Sequence, residues 1–142
     1  MYSFAALSGM NVNDAIRCYR FSIDVGSRII EEVLSGVVTY QGFAEMIMDM
    51  FQHPDFGEVM YFLCDYRAVD RFVMNSRELE TIADQVQQLR TYMPDVKLAF
   101  VTGGDAVADG STEHFIERMR GTGIPVKKVV SLEAARDWLL DN

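Results

Sequence analysis

Two apolar runs without strict alternation constrain the fold of this chain most strongly. Val59-Met60-Tyr61-Phe62-Leu63-Cys64 is one of them, and the segment from Val96 to Thr102 is the other. Runs of this kind are typical of strands that are buried on both faces, as in a parallel sheet covered by helices. A helical pattern follows each run, so the sequence predicts an α/β fold.

Four segments have helical periodicity and a residue suited to cap the helix at its start. In the first, Phe43, Met46, Ile47, Met50 and Phe51 lie on one apolar stripe before Pro54 ends the pattern. In the second, Asn75 and Glu78 have the spacing of a capping box. The predicted N-caps are Thr39, Asn75, Ser111 or Thr112, and Ser131.

The remaining strands complete the predicted topology. Tyr19 to Asp24 and Arg28 to Val38 flank a turn at Gly26 and indicate a hairpin, and Val126 to Val130 indicates a short last strand. The order β-β-α-β-α-β-α-β-α predicts a mostly parallel five-stranded sheet with an antiparallel first strand, covered by four helices. Residues 1–17 are interpreted as an N-terminal appendage, and residues 18–142 as a single domain.

The net charge and the length of the apolar runs limit the partners and the cellular location that can be expected for the protein. The formal net charge is -8, with 21 acidic against 13 basic residues, so the average field repels a phosphate backbone and we expect no nucleic-acid partner. The basic pair Lys127-Lys128 is interpreted as charge protecting an edge strand. No apolar run approaches the roughly 20 residues of a transmembrane helix, and the predicted location is cytoplasmic.

Patterns that would specify a metal site or covalent chemistry are missing. Cys18 and Cys64 have no metal-ligand spacing and are expected to be reduced, buried thiols. His53 and His114 fit surface or helix-end positions, and no serine lies in a GxSxG elbow. We therefore expect no metal, no cofactor and no catalytic residues.

The edge at the carboxyl ends of the parallel strands is the predicted binding site. Asp70-Arg71-Phe72-Val73-Met74 is interpreted as a loop in which Phe72, Val73 and Met74 contact a ligand or partner. Gly103-Gly104-Asp105 should reach the same edge and could cradle a phosphate, although an ordinary turn is favoured. The alternative for Phe72 and Met74 is that they fold back over the core.

Asp65 follows the central strand and has three alternative interpretations. It could be the phosphoacceptor of a response-regulator receiver, but only Asp24 follows the first strand where a receiver needs an acidic pair for magnesium. It could act as an acid or base in a small enzyme. A local pairing with Arg67 or a turn-capping role is favoured.

Three further segments resemble those of a known protein family. Leu34-Ser35-Gly36 ends the hairpin, Leu63-Cys64-Asp65-Tyr66-Arg67 closes the central strand, and the last helix carries Ser131-Leu132-Glu133-Ala134-Ala135-Arg136-Asp137-Trp138-Leu139. With these, residues 19–141 resemble the SpoIIAA-like branch of the STAS (sulfate transporter and anti-sigma factor antagonist) superfamily. The resemblance implies a regulatory protein of the predicted fold.

Antagonists of that family switch by phosphorylation of a serine in an Asp-Ser-Ser-Gly stretch that opens the helix after the central strand. Here the matching stretch reads Met74-Asn75-Ser76-Arg77, so the resemblance implies phosphorylation at Ser76. A plain helix-start role explains the same serine, because serine is favoured at that position.

The sequence as a whole predicts a non-enzymatic binding or regulatory module. Its partner protein or small apolar ligand would lie against the edge from Phe72 to Ser76, with Gly103, Gly104 and Asp105 beside it. Two alternatives stay open. One is a small enzyme that uses Asp65 or Asp105 as acid or base, and the other is a structural homodimer that exchanges residues 1–17.

Overall fold

The computed structural model of the protein describes residues 18–103 and 110–141. The described elements are five strands, four α-helices and a short 3₁₀-helix. In chain order they are β1 (Tyr19–Asp24), β2 (Ile29–Thr39), α1 (Tyr40–Gln52), the 3₁₀-helix Phe56–Glu58, β3 (Tyr61–Val73), α2 (Ser76–Tyr92), β4 (Lys97–Val101), α3 (Ser111–Arg120), β5 (Val126–Val129) and α4 (Leu132–Leu140).

The strands form one sheet in the order β1-β2-β3-β4-β5. β1 pairs with β2 in the antiparallel sense, and the other neighbours are parallel. The α/β architecture predicted from the sequence is therefore confirmed. Lys127 and Lys128 lie exposed on β5, at an edge of the sheet, as edge-protecting lysines should.

The two faces of the sheet are covered unequally. Helices α1, α2 and α3 pack on one face, where buried side chains such as Met46, Ile82 and Phe115 share a large cluster with the strands. Helix α4 packs on the other face, where Ala135 and Leu139 meet a smaller cluster. No helix in the described part of the chain is long and apolar enough to cross a membrane.

Three of the four predicted caps form. Thr39 accepts from the Gly42 amide at 3.1 Å, and Ser131 accepts from the Ala134 amide at 3.1 Å. Asn75 and Glu78 make both bonds of the capping box. The prediction for α3 was wrong, because its N-cap is Gly110, which has no side chain to donate or accept. The Ser111 hydroxyl instead accepts the Phe72 backbone N–H at 2.8 Å.

The predicted loop at residues 70–74 was also wrong, because β3 continues to Val73 alongside β2. Two register shifts make this extension possible: residues 33 to 35 of β2 face residues 65 to 68 of β3, and 36 to 37 face 69 to 71. Each shift inserts an extra residue into β3, as a β-bulge does. The two extra residues cancel in the alternation of side chains, so Phe72 keeps the inward orientation of Tyr66 and pairs opposite Val38.

Phe72 consequently belongs to the core. Its side chain is buried, and its ring stacks on Phe115 with centroids 4.4 Å apart and planes 7° from parallel. Tyr66 contacts the same ring at a centroid distance of 5.5 Å. Val73, the next residue, points away from the core and is 48% exposed. Of the two alternatives for Phe72, packing over the core is confirmed, and the residue is not an exposed anchor.

Replacement of Phe72 tests this placement. Phe72→Ala should lower the free energy of unfolding by about 3 kcal/mol or more, as loss of a buried aromatic side chain does. The neighbouring Val73→Ala, an exposed strand position, should cost less than about 1 kcal/mol. Urea unfolding monitored by circular dichroism measures both values. Equal and small losses would place Phe72 outside the core.

Candidate functional site

An acidic side chain interrupts the apolar face of β2. Alternate residues of a strand share a face, so Glu32 lies between Ile30 and Leu34 on the side covered by α1, α2 and α3. All three side chains are buried, and Glu32 is only 3% exposed. A carboxyl group at such a position is unusual, because burial disfavours its charged form.

Two polar side chains of β3 adjoin this carboxyl group. The strand register sets Glu32 opposite Cys64. The Tyr66 hydroxyl, two residues further along the same face, donates to Glu32 Oε1 at 2.9 Å. Cys64 and Tyr66 are buried, like Glu32. The three side chains form a polar cluster, here called the Glu32 cluster, within an otherwise apolar layer.

The Glu32 cluster lines a narrow cavity between the sheet and the helices. The inner wall comes from the strands and α3 and includes the rings of Phe100 and Phe115. The outer end lies between α1 and α2, where Phe51 and Val86 are among the lining residues. Phe51 was expected on the buried stripe of α1 but is 52% exposed, so it stands at the mouth.

The cavity is small in the described conformation. Its volume is about 40 Å³. Since one water needs about 10–15 Å³ of such volume, the cavity has room for roughly three water molecules. A larger guest would have to displace mouth side chains, and Ile47, Val86 and Leu89 there are only partly buried. Those side chains belong to α1 and α2, so a guest would enter between these two helices.

Burial controls the ionisation of the Glu32 cluster. Loss of hydration raises the pKa of Glu32 from 4.5 to about 7, although hydrogen bonds with Tyr66 and Cys64 oppose the shift. Burial and the nearby Glu32 raise the pKa of the Cys64 thiol and of the Tyr66 hydroxyl well above their ordinary values. Glu32 therefore titrates near neutral pH, whereas Cys64 stays a thiol and is a poor nucleophile.

Asp65 lies on the opposite face of β3 and has different surroundings. Arg67 donates to both of its carboxylate oxygens, at 2.9 Å and 2.8 Å. These hydrogen bonds hold the pKa of Asp65 below its ordinary value. The predicted local pairing with Arg67 is confirmed, and a carboxylate stabilised in this way is a weak base.

The other predicted site residues are spread along the carboxyl edge of the sheet. Met74 is partly buried against the core, Asn75 caps α2, and Ser76 is the exposed first residue of that helix. Gly103 is exposed just after β4. Gly104 and Asp105 lie outside the described residues, as do residues 1–17. Binding at this edge and phosphorylation of Ser76 stay predictions.

The two cysteines differ in burial, and the two histidines lie on or next to helices. Cys18 and Cys64 are both free, but only Cys64 is buried, so the expectation of burial was wrong for Cys18. His53 Nδ1 accepts the Asp55 backbone N–H at 3.0 Å just after α1, and His114 is exposed on α3. Within residues 18–103 and 110–141, no group of His, Cys, Asp and Glu side chains could hold a metal ion.

Comparison with known proteins adds no family assignment. No protein-family model matches the chain, and no curated protein matches it significantly.

Glu32 was not among the predicted site residues, although the sequence contains a signal for it. Read at every second residue, β2 gives Ile30, Glu32, Leu34, Gly36 and Val38, which is an apolar face containing one acid. The Glu31-Glu32 pair resembles ordinary surface charge unless this alternation is followed. The contact with Tyr66 was beyond reach, because it depends on the register of β2 against β3.

The buried acid predicts an unusual dependence of stability on pH. Since the folded-state pKa of Glu32 lies above 4.5, the folded protein holds the Glu32 proton in a range where the unfolded chain has lost it. Its contribution to stability should fall as pH rises from 4.5 through about 7. The total change is roughly 3 kcal/mol, at 1.36 kcal/mol per pKa unit.

Glu32→Gln, which keeps the shape and removes the titration, isolates this effect. Urea unfolding between pH 4 and about 8.5 should show the variant gaining stability relative to the natural protein as pH rises. A difference that is constant across this range would mean that Glu32 is not a buried, titrating acid.

Proposed function

We propose that the protein is a non-enzymatic binding module that takes a small, mainly apolar ligand into the cavity between the sheet, α1 and α2. The observation that carries the proposal is the Glu32 carboxyl hydrogen-bonded to Tyr66 on the wall of an apolar, aromatic-lined cavity. Ligand sites in proteins commonly combine an apolar lining with a few placed polar groups.

Both features are costly in a purely structural core. A buried carboxyl loses hydration, and a void loses the packing contacts that its walls would otherwise make. An apolar residue at position 32 and a filled cavity would serve stability better. In a ligand site the buried carboxyl and the void both have a function, because a bound guest fills the void and satisfies the carboxyl.

The helices around the cavity provide a route for regulation. Helix α2 lines the cavity with Ile82 and Val86 and begins at the exposed Ser76. A ligand that separates α1 from α2 would therefore shift the start of α2. This links the cavity to the partner-binding edge proposed around Val73 to Ser76, where the partner would be a regulatory protein or a second copy of this chain.

Membership of the SpoIIAA-like branch of the STAS superfamily is part of this proposal. It is supported by the element order, the antiparallel first strand, and the position of Ser76 at the opening of the helix after the central strand. A cytoplasmic location fits a regulatory module of this kind. Phosphorylation of the exposed Ser76 would add charge beside the same edge.

A second candidate function is acid-base catalysis at Glu32. It is favoured by the pKa of about 7, which suits a group that both accepts and donates protons at neutral pH. Glu32, rather than Asp65, would then be the acid or base. Turnover of a bound compound that stops in Glu32→Gln would support this candidate, whereas unchanged recovery of the compound supports a binding module.

Methyl NMR of the methionines tests the cavity directly. Met50 and Met119 line the cavity, whereas Met48 is 56% exposed on the outer side of α1. Titration with 1-hexanol, a slender apolar probe, should shift the Met50 and Met119 methyl signals in a saturable way. The Met48 signal should stay in place.

A matched pair of variants tests the route of entry. Val86→Trp should fill the mouth and weaken hexanol binding at least about tenfold, equivalent to 1.4 kcal/mol. Gln88→Trp, on the exposed side of the same helix, should leave binding unchanged. Shifts of Met48 alone, or equal effects of both tryptophans, would contradict binding in the cavity.

A further inference from the structure

In the part of the chain that the structure describes, no positively charged side chain accompanies the Glu32 cluster. Glu32 is the one charged group that lines the cavity within the described ranges, and no Lys or Arg side chain of those ranges joins it there. Its partners in the cluster are Tyr66 and Cys64, which are neutral at physiological pH. Buried carboxylates in proteins are normally paired with a cation. A guest could supply the missing positive charge.

The walls around Glu32 suit a cation that carries an apolar body. The rings of Phe62, Tyr66, Phe100 and Phe115 line the same cavity. Aromatic faces attract ammonium groups through the negative charge of the ring face, most strongly where water is absent. The net charge of -8 also raises the concentration of cations near the protein surface.

We propose that the ligand is a lipophilic amine, a slender apolar molecule whose protonated nitrogen pairs with the Glu32 carboxylate while its chain lies between α1 and α2. This inference rests on the proposed function, because it presumes that the cavity is a ligand site. It adds the chemical class of the ligand and assigns Glu32 as the residue that determines specificity.

Other ligand classes fit the cavity less well. A carboxylic acid would set a second acid against Glu32, and Tyr66 already directs its hydroxyl proton to Glu32 Oε1. A neutral alcohol can exchange hydrogen bonds with the carboxyl but leaves no opposite charge beside it. An ammonium group neutralises the carboxylate in a low-dielectric site, where such a pair interacts far more strongly than in water.

Pairing of the ligand ammonium group with Glu32 changes the number of protons bound to the protein, and this change can be measured. Below pH 7 the carboxyl is largely protonated, so binding of an ammonium ion must release the Glu32 proton to solvent. The ligand nitrogen keeps its own proton throughout. Amine affinity should therefore rise between pH 6 and about 8, whereas hexanol affinity should not.

Isothermal titration calorimetry of the full chain with n-hexylamine and 1-hexanol tests the inference. At pH 8, hexylamine should bind at least about tenfold more tightly than hexanol. At pH 6, titrations in buffers of different ionisation enthalpy should show release of close to one proton per hexylamine bound, and none for hexanol.

Two isosteric variants complete the experiment. Glu32→Gln should reduce hexylamine affinity at least about tenfold, abolish the proton release, and leave hexanol affinity within about twofold. Glu80→Gln removes an acid that is 66% exposed on α2, and it should change neither ligand. Equal losses of hexylamine affinity in both variants would assign the binding to surface charge and overturn the inference.

Two further outcomes distinguish a failure of this inference from a failure of the proposed function. If both probes bind equally well and Glu32→Gln affects neither, the cavity is a ligand site but the preference for an amine is wrong. If neither probe binds and the Met50 and Met119 methyl signals do not move, the cavity is not a ligand site and both proposals fail.

Discussion

The parallel pairing of β2 with β3 is the interaction on which the rest of the structure depends. It runs from Ile29 opposite Tyr61 to Thr39 opposite Val73, well past the point where β4 stops pairing with β3. The register of this pairing sets Glu32 beside Cys64. After two bulges in β3, it sets Phe72 opposite Val38 in the core. A one-residue slip of β2 would turn the acid to the other face, and a one-residue slip of β3 would turn the aromatic ring out of the core.

The unequal coverage of the sheet explains why the candidate site lies where it does. Three helices share one face, and the cavity opens between the first two of them, α1 and α2. Tyr66 and Phe115 line its inner wall, and both rings contact Phe72 in the core.

Local patterns were enough to predict the architecture and most of the helix caps. Apolar runs identified β3 and β4, and the Asn75 to Glu78 spacing identified the start of α2. The extension of β3 was not predicted, because the charged pair Asp70 and Arg71 reads as a loop, and because the bulges that set Phe72 opposite Val38 depend on pairing with β2. The candidate site was not predicted for a related reason. Glu32 meets Tyr66 through pairing between strands, which no local pattern encodes.

Glu32 is a buried acid that keeps its proton to a higher pH than a hydrated glutamate, because burial disfavours the charged carboxylate. The ¹³C NMR signal of its side-chain carboxyl, assigned by its loss in Glu32→Gln, measures this directly between pH 3 and about 9. The structure predicts a single titration with a midpoint of about 7. A midpoint near 4.5, the ordinary value for glutamate, would show that the carboxyl is hydrated and would contradict the account.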